Sequence, residues 1–357
     1  MSRSRICSRR AFLGASVAAV AAASASTAGR AVPIGAGQGM KAKASTRVAL
    51  TAGPDRVENI FRALTPFRDQ LIRSIGEKRI IIKPNNVMIE SQLSATHADC
   101  LVGILEFLRS IGKTNVIIAE SSASGPTMDG FENFNYLGLS EKYRAPLVDL
   151  DRQDVEPVYI FDQSDFRPKP VRMSRMLLDR ESNFIISAAK FKTHDRVVAT
   201  LSLKNIVFGA PVKDPGFAWG PARQTGTRTD KHIPHGSGVR ATNYNLFALA
   251  PRLQPSLAVI DGFVGMEGDG PLNGTPVEHG VAVAGLDWLA ADRVAVELMG
   301  IDFSTIGYLN YCAEAGMGQA DLSRIEIVGE KIENHVRKYR LNQNIEKQLV
   351  WMKPVES

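Results

Sequence analysis

The chain has 357 residues, 44% of them hydrophobic and 22% charged, with a formal net charge of +6 at pH 7 and three cysteines. That length supports one large α/β domain or two smaller ones with a substantial core. The scattered cysteines cannot supply four clustered thiolates, so no iron–sulfur cluster is expected, and no Lys/Arg stripe with interleaved aromatics marks a nucleic-acid partner.

The N-terminus reads Ser8-Arg9-Arg10-Ala11-Phe12-Leu13-Gly14 and continues as an apolar, small-residue run to Ala25. This is the layout of a cleavable signal whose apolar run is too short to span a bilayer. Paired arginines directly before Phe-Leu point to the twin-arginine translocon as partner. The mature protein is then periplasmic or secreted, with no stable membrane span after cleavage. Residues 1–28 are taken as the signal, and they carry four arginines and no acid, so their loss lowers the net charge from +6 to +2. Residues 29–46, rich in Gly, Ala and Lys, read as a flexible linker, 47–330 as an α/β domain and 331–357 as a C-terminal tail.

Within the domain, short β-branched runs alternate with amphipathic stretches. Val48–Leu50 precedes a helix over 55–73, Ile80–Ile82 one over 95–111, and Val116–Ile118 one over 128–140. This βαβαβα order predicts a mostly parallel, doubly wound (Rossmann-like) sheet, in one α/β lobe or two. Strand-like segments at 146–150, 157–161 and 170–178 suggest an antiparallel extension. A buried strand at 184–188 leads to a helix-like 199–208 and a Gly/Pro-rich loop over 209–240, of the kind that is usually functional or mobile. Later come a helix over 242–252, strands at 257–260 and 281–284, helices near 288–299 and 303–316, and a strand at 325–328. Cys100 and Cys312 lie in apolar stretches and read as buried free thiols. His279 and His335 read as surface histidines.

Ligands of open parallel sheets bind outside the carboxyl ends of the strands. Four strand ends carry polar groups here: Lys83-Pro84-Asn85-Asn86, Glu120-Ser121-Ser122, Lys190-Phe191-Lys192-Thr193-His194-Asp195, and Asp261-Gly262 followed by Glu267. The Lys190 block reads as a solvated turn or as part of a site, and alternation puts Lys190, Lys192 and His194 on one side if the chain stays extended. Lys204-Asn205, a polar pair in an apolar stretch, favours the site, because a buried lysine needs an acidic or ligand partner. His97 is either a residue of a helix start or a site residue near Lys83. His232 and His235, with Asp261 and Glu267, offer nitrogen and oxygen donors to a divalent metal, although loop histidines more often bind nothing.

With these residues in view, the chain resembles the bacterial and archaeal family called "domain of unknown function 362". The resemblance rests on Lys83-Pro84-Asn85, Lys190-Phe191-Lys192-Thr193-His194, Leu203-Lys204-Asn205, Asp261-Gly262, Gly265–Gly268 and Gly270-Pro271. Many relatives look like fusions to ferredoxin-type modules, which implies redox work, but this chain lacks those cysteines. The expected function is an exported enzyme acting on a small anionic molecule by metal-assisted or redox chemistry. Lys190, Lys192, His194, Lys204 and Glu120 would be catalytic, with Lys83, Asn85, Asn205 and His97 binding substrate. The alternative is a non-catalytic periplasmic binding protein for a carboxylate or phosphate. The sequence does not set the oligomeric state.

Overall fold

Apolar runs become strands and amphipathic stretches become helices in the expected order. The computed structural model describes residues 46–354, so the expected signal peptide and all of the linker except Thr46 lie outside the described residues. Thr46–Ala52 (β1), Arg79–Lys83 (β2) and Val116–Glu120 (β3) are separated by Arg56–Leu64 (α1), Arg68–Ile75 (α2) and Ala98–Ser110 (α3). Thr127–Asn133 (α4) and Tyr136–Tyr143 (α5) lead to the short Leu147–Asp149 (β4). Val155–Phe161 (β5) and Pro168–Ser174 (β6) pair antiparallel in a separate two-stranded sheet, and Arg175–Leu178 (α6) turns helical where a longer strand was expected.

Asn183–His194 (β7) is buried along all 12 residues. Val198–Thr200 (β8), Ser202–Val207 (α7), His232–Gly236 (α8) and Val239–Leu253 (α9) follow, the long loop lying between α7 and α8. Leu257–Asp269 (β9) and Asn273–Gly285 (β10) form a long hairpin. Trp288–Leu298 (α10), Gly307–Glu314 (α11), Ile325–Gly329 (β11) and Ile345–Gln348 (α12) complete the described residues.

Nine strands form the main sheet in the order β11-β1-β10-β9-β7-β2-β3-β4, with β8 paired to β7 off this path. From β9 to β4 the strands are parallel, whereas β10 runs antiparallel to both β9 and β1. The fold is therefore an α/β sheet, mostly parallel and covered on both faces. Alternation along β7 shows the layering: Ile185, Ala189 and Phe191 join the core under α7, α9 and α10, while Ile186 and Ala188 join the core under α1 and α3. β1 sits away from β2 because β10, β9 and β7 are inserted between them, an order that local patterning does not encode.

Two expectations are corrected. Residues 331–354 are packed against the domain instead of trailing as a tail: Tyr339 and Gln348 are buried, and Gln348 Oε1 accepts a 2.7 Å hydrogen bond from Val198 N. His279 is buried too, held between the Tyr339 hydroxyl at 3.1 Å and the His335 carbonyl at 2.6 Å. Burial pushes its pKa down to about 4. Cys100 and Cys312 are free and buried, as expected.

Candidate functional site: a lysine-rich cavity at the strand ends

Parallel strands deliver their carboxyl ends side by side, and β2 and β3 place Lys83 against Glu120. Lys83 Nζ lies 2.7 and 2.9 Å from the two Glu120 oxygens and also donates to Pro84 O and Asn205 Oδ1. Glu120 further accepts from the backbone N–H groups of Asn86 and Ser121. A buried charge is tolerated only when it is paired and hydrogen-bonded in this way. Burial holds the Lys83 pKa below its usual value, with Glu120 opposing the shift. Gly209 permits the packing, since a Cβ there would collide with Lys83 Cε and Nζ and with the Asn205 carbonyl.

The amides extend the network. Asn205 Nδ2 donates to Lys83 O and Ser187 Oγ, Asn85 Nδ2 donates to Asn205 Oδ1, and Lys192 Nζ donates to Asn85 Oδ1 at 2.6 Å. Lys192 is fully buried, and its pKa falls well below the usual range through burial and then through the neighbouring Lys204 and Lys190. Asn205 and Lys204 ride on α7, whose first turn is fixed from the opposite helix. Asp292 of α10 accepts from Ser202 N at 2.8 Å and Leu203 N at 3.2 Å. Complete burial pushes the Asp292 pKa up to about 7.

Lys204 differs from its neighbours. Its Nζ lies 3.5 Å from His235 Nε2 and 5.3 Å from the centroid of the Phe208 ring, and among the described residues it makes no ion pair. The acids expected to serve it are committed elsewhere: Glu120 to Lys83, Asp261 to Arg56 at 3.3 Å, and Glu267 to the backbone N–H of Arg340 at 2.9 Å. Burial lowers the Lys204 pKa to about 7. His235 Nδ1–H donates to Lys231 O at 2.7 Å, which leaves Nε2 as the lone-pair nitrogen facing Lys204. Burial, reinforced by Lys204, takes the His235 pKa to about 3, so the ring is neutral.

These groups border a cavity of about 210 Å³, lined also by Asn86, Thr200, Trp219, Lys231 and His232. Asp195 also lines it, and its charge partly offsets the lowering of the Lys204 pKa. Asn86 Nδ2, Thr200 Oγ1 and Trp219 Nε1 are buried with no hydrogen-bond partner among the described residues. His194 Nδ1 accepts from Arg196 N at 3.0 Å, which assigns the proton of the neutral ring to Nε2, and Asp195 Oδ1 lies 3.2 Å from the same Nδ1; among the described residues Nε2 has no acceptor. Burial, then Lys204, holds His194 well below its usual pKa. Lys231 is anchored to the carbonyls of Pro211 and Gly209, and burial brings its pKa down to about 7.

The structure thus brings Lys83, Asn85, Glu120, His194, Lys204, Asn205, His232 and His235 to one cavity, with Lys192 behind Asn85. Lys190, His97 and Asp261 gather elsewhere, beside Arg56. Lys190 Nζ donates to Val264 O, His97 caps α3 with its Nδ1 accepting from Asp99 N at 3.1 Å, and the Arg56 guanidinium also lies over the Phe263 ring. A break in the β7–β9 register separates Lys190 from Lys192: Lys190 faces Asp261 but Lys192 faces Met266. The four residues offered as metal donors are not assembled, and among the described residues no three His, Cys, Asp or Glu are grouped to hold a metal ion. Lys231, Thr200, Trp219 and Asp292 escaped the sequence reading, whereas Asn86 belonged to the Lys83 strand-end group without being given a role. Lys231, beside His232, carried the clearest signal; an orphaned Trp219 N–H carries none.

A "Thylakoid-associated protein sll1697" from Synechocystis sp. is 25% identical over 230 residues, which cover 64% of this chain and 65% of that relative. The matched part is therefore less than two thirds of the relative's length. A family model described as "Domain of unknown function (DUF362)" matches residues 80–297, the stretch that supplies every cavity residue named above, and the chain belongs to that family.

Proposed function

We propose that the protein is an enzyme whose cavity binds a small oxyanion-bearing molecule, a carboxylate or phosphate, and moves protons on it with Lys204 and His235. The observation carrying this reading is Lys204, a buried lysine on the cavity wall that forms no ion pair among the described residues, Asp195 of the same lining acting on it only at longer range. A buried ammonium requires a counter-charge, and an anionic ligand in the cavity supplies one. The orphaned donors of Asn86, Thr200 and Trp219 and the free N–H of His194 match the same acceptor-rich partner. A lysine whose pKa is about 7 exchanges protons readily at neutral pH, which suits general acid–base catalysis. The reading is a proton-transfer site and needs no ion held by Asp261, Glu267, His232 and His235.

Thermal melting against a panel of small carboxylates and phosphates tests it. At least one compound is expected to raise the melting temperature, and Lys204→Met should abolish that rise. A panel without effect, or a shift that survives Lys204→Met, contradicts the reading. Binding without turnover of any bound compound returns the non-catalytic alternative. We also propose that the mature protein works outside the cytoplasmic membrane, on the strength of Arg9-Arg10 and the apolar run behind them. Replacing Arg9 and Arg10 together by lysine should retain the full-length chain in the cytoplasmic fraction; unchanged export contradicts the twin-arginine reading.

A further inference from the structure

We propose that Lys204 forms a covalent imine with the carbonyl carbon of a small 2-oxo acid bound in the cavity. This deepens the oxyanion-site reading and rests on it. An imine-forming lysine needs a nitrogen lone pair that no carboxylate or carbonyl holds as ammonium. Of the cavity lysines, Lys83 is fixed by Glu120 and Lys231 by the carbonyls of Pro211 and Gly209. Lys192, behind them, is fixed by Asn85 Oδ1 and Ser94 O. Lys204 has the unprotonated nitrogen of an imidazole as its one hydrogen-bond neighbour among the described residues, over the apolar face of Phe208, and Asp195 reaches it only at longer range. Its lowered pKa of about 7 makes the free amine abundant near neutrality.

The neighbours fit the two ends of such a ligand. Asn86 Nδ2, Thr200 Oγ1, Trp219 Nε1 and the His194 Nε2–H offer donors to its carboxylate. The small cavity favours a short chain. In the reaction the amine lone pair attacks the carbonyl carbon and the C=O π pair moves to oxygen. The proton that the nitrogen sheds passes to that oxygen. The resulting carbinolamine takes up a second proton, the one the ammonium released before attack, and expels that oxygen as water while the nitrogen lone pair forms the C=N bond. Starting from the ammonium form, the sum is ammonium plus carbonyl giving iminium plus water, with no oxidant or reductant consumed. The iminium then withdraws electrons from the adjacent carbon, where a proton is added or removed.

Purified protein is incubated with pyruvate, reduced with borohydride, and analysed by intact mass and peptide mapping. The expected result is one adduct per chain, heavier by pyruvic acid less one oxygen atom, mapped to Lys204 and absent from Lys204→Arg. Arginine keeps the charge but forms no imine under these conditions, and the variant's own melting curve reports its folding. Mapping the wild-type adduct decides the question even if the variant is unstable. Propionate, which has the carboxylate but no carbonyl, is the companion probe. If propionate or pyruvate raises the melting temperature but no adduct maps to Lys204, the imine is overturned and the anion site stands. Adducts spread over surface lysines also overturn the imine. If neither probe binds and no adduct forms, both readings fall.

Discussion

The proposed chemistry rests on Lys204, which forms no ion pair because Glu120 is spent on Lys83, Asp261 on Arg56 and Glu267 on a backbone N–H, while Asp195 acts on it only at longer range. The sequence shows that a lysine lies in an apolar stretch and so demands a partner, but not which acids are already used, because that depends on side-chain geometry across β2, β3 and β9. Lys83 is the opposite case, its pair with Glu120 following from two strand ends in one parallel sheet. Gly209 provides a second test at this scale. Gly209→Ala places a methyl where Lys83 Cε and Nζ lie, so the Lys83–Glu120 pair must shift. An overpacked buried site costs about 1–3 kcal/mol. Chemical denaturation should show a lower midpoint with an unchanged slope; a midpoint equal to wild type contradicts the packing described.

At the scale of elements, α7 decides where Lys204 and Asn205 point, and α7 depends on Asp292. Alanine at this position orphans the N–H groups of Ser202 and Leu203, at a cost of about 1–3 kcal/mol. Asp292→Asn keeps an acceptor oxygen and should recover part of that loss, and anion binding should weaken in parallel with stability in the pair of variants. Equal stability of Asp292→Ala and wild type would show that α7 is held by other contacts. The strand and helix inventory was legible because each element carries its own periodicity. The hairpin of β9 and β10 was less so: its apolar inner halves were visible, but the outer halves, rich in glycine and charge, continue as strand only because they pair with each other. The register break opposite Lys190 and Lys192 is a property of two strands together, so simple alternation placed Lys190, Lys192 and His194 as one group when they divide between two environments.

For the whole molecule, the buried lysines make stability depend on pH. Lys204 and Lys231 are each held down from 10.5 to about 7, so between those values the unfolded chain binds more protons than the folded one. Stability therefore rises with pH across that window and is lost as pH falls toward 7. The groups around them include Lys83, Lys192, His194, His235, Glu120 and Asp195. The two histidines, held below their usual values, add no opposing slope above neutrality. Denaturant titrations from about pH 7 to about pH 8.5 should show a gain of about 1–3 kcal/mol, reduced in Lys204→Met. A stability that is flat or falls over that range contradicts the lowered lysine values. The sheet order as a whole was not legible, because the return of β10 between β1 and β9 is fixed by tertiary pairing and leaves no local mark. The C-terminal segment escaped for a related reason, its buried Tyr339 and Gln348 being isolated residues in an otherwise polar stretch.

Because an anion beside Lys204 favours its charged form, ligand binding above the lysine's own pKa must draw protons from solution. Isothermal titration of propionate at about pH 8, in two buffers of different ionisation enthalpy, measures this directly. The account predicts net proton uptake on binding, greatly reduced in Lys204→Met. Absence of binding, binding with no proton exchange, or uptake undiminished by that substitution would contradict it.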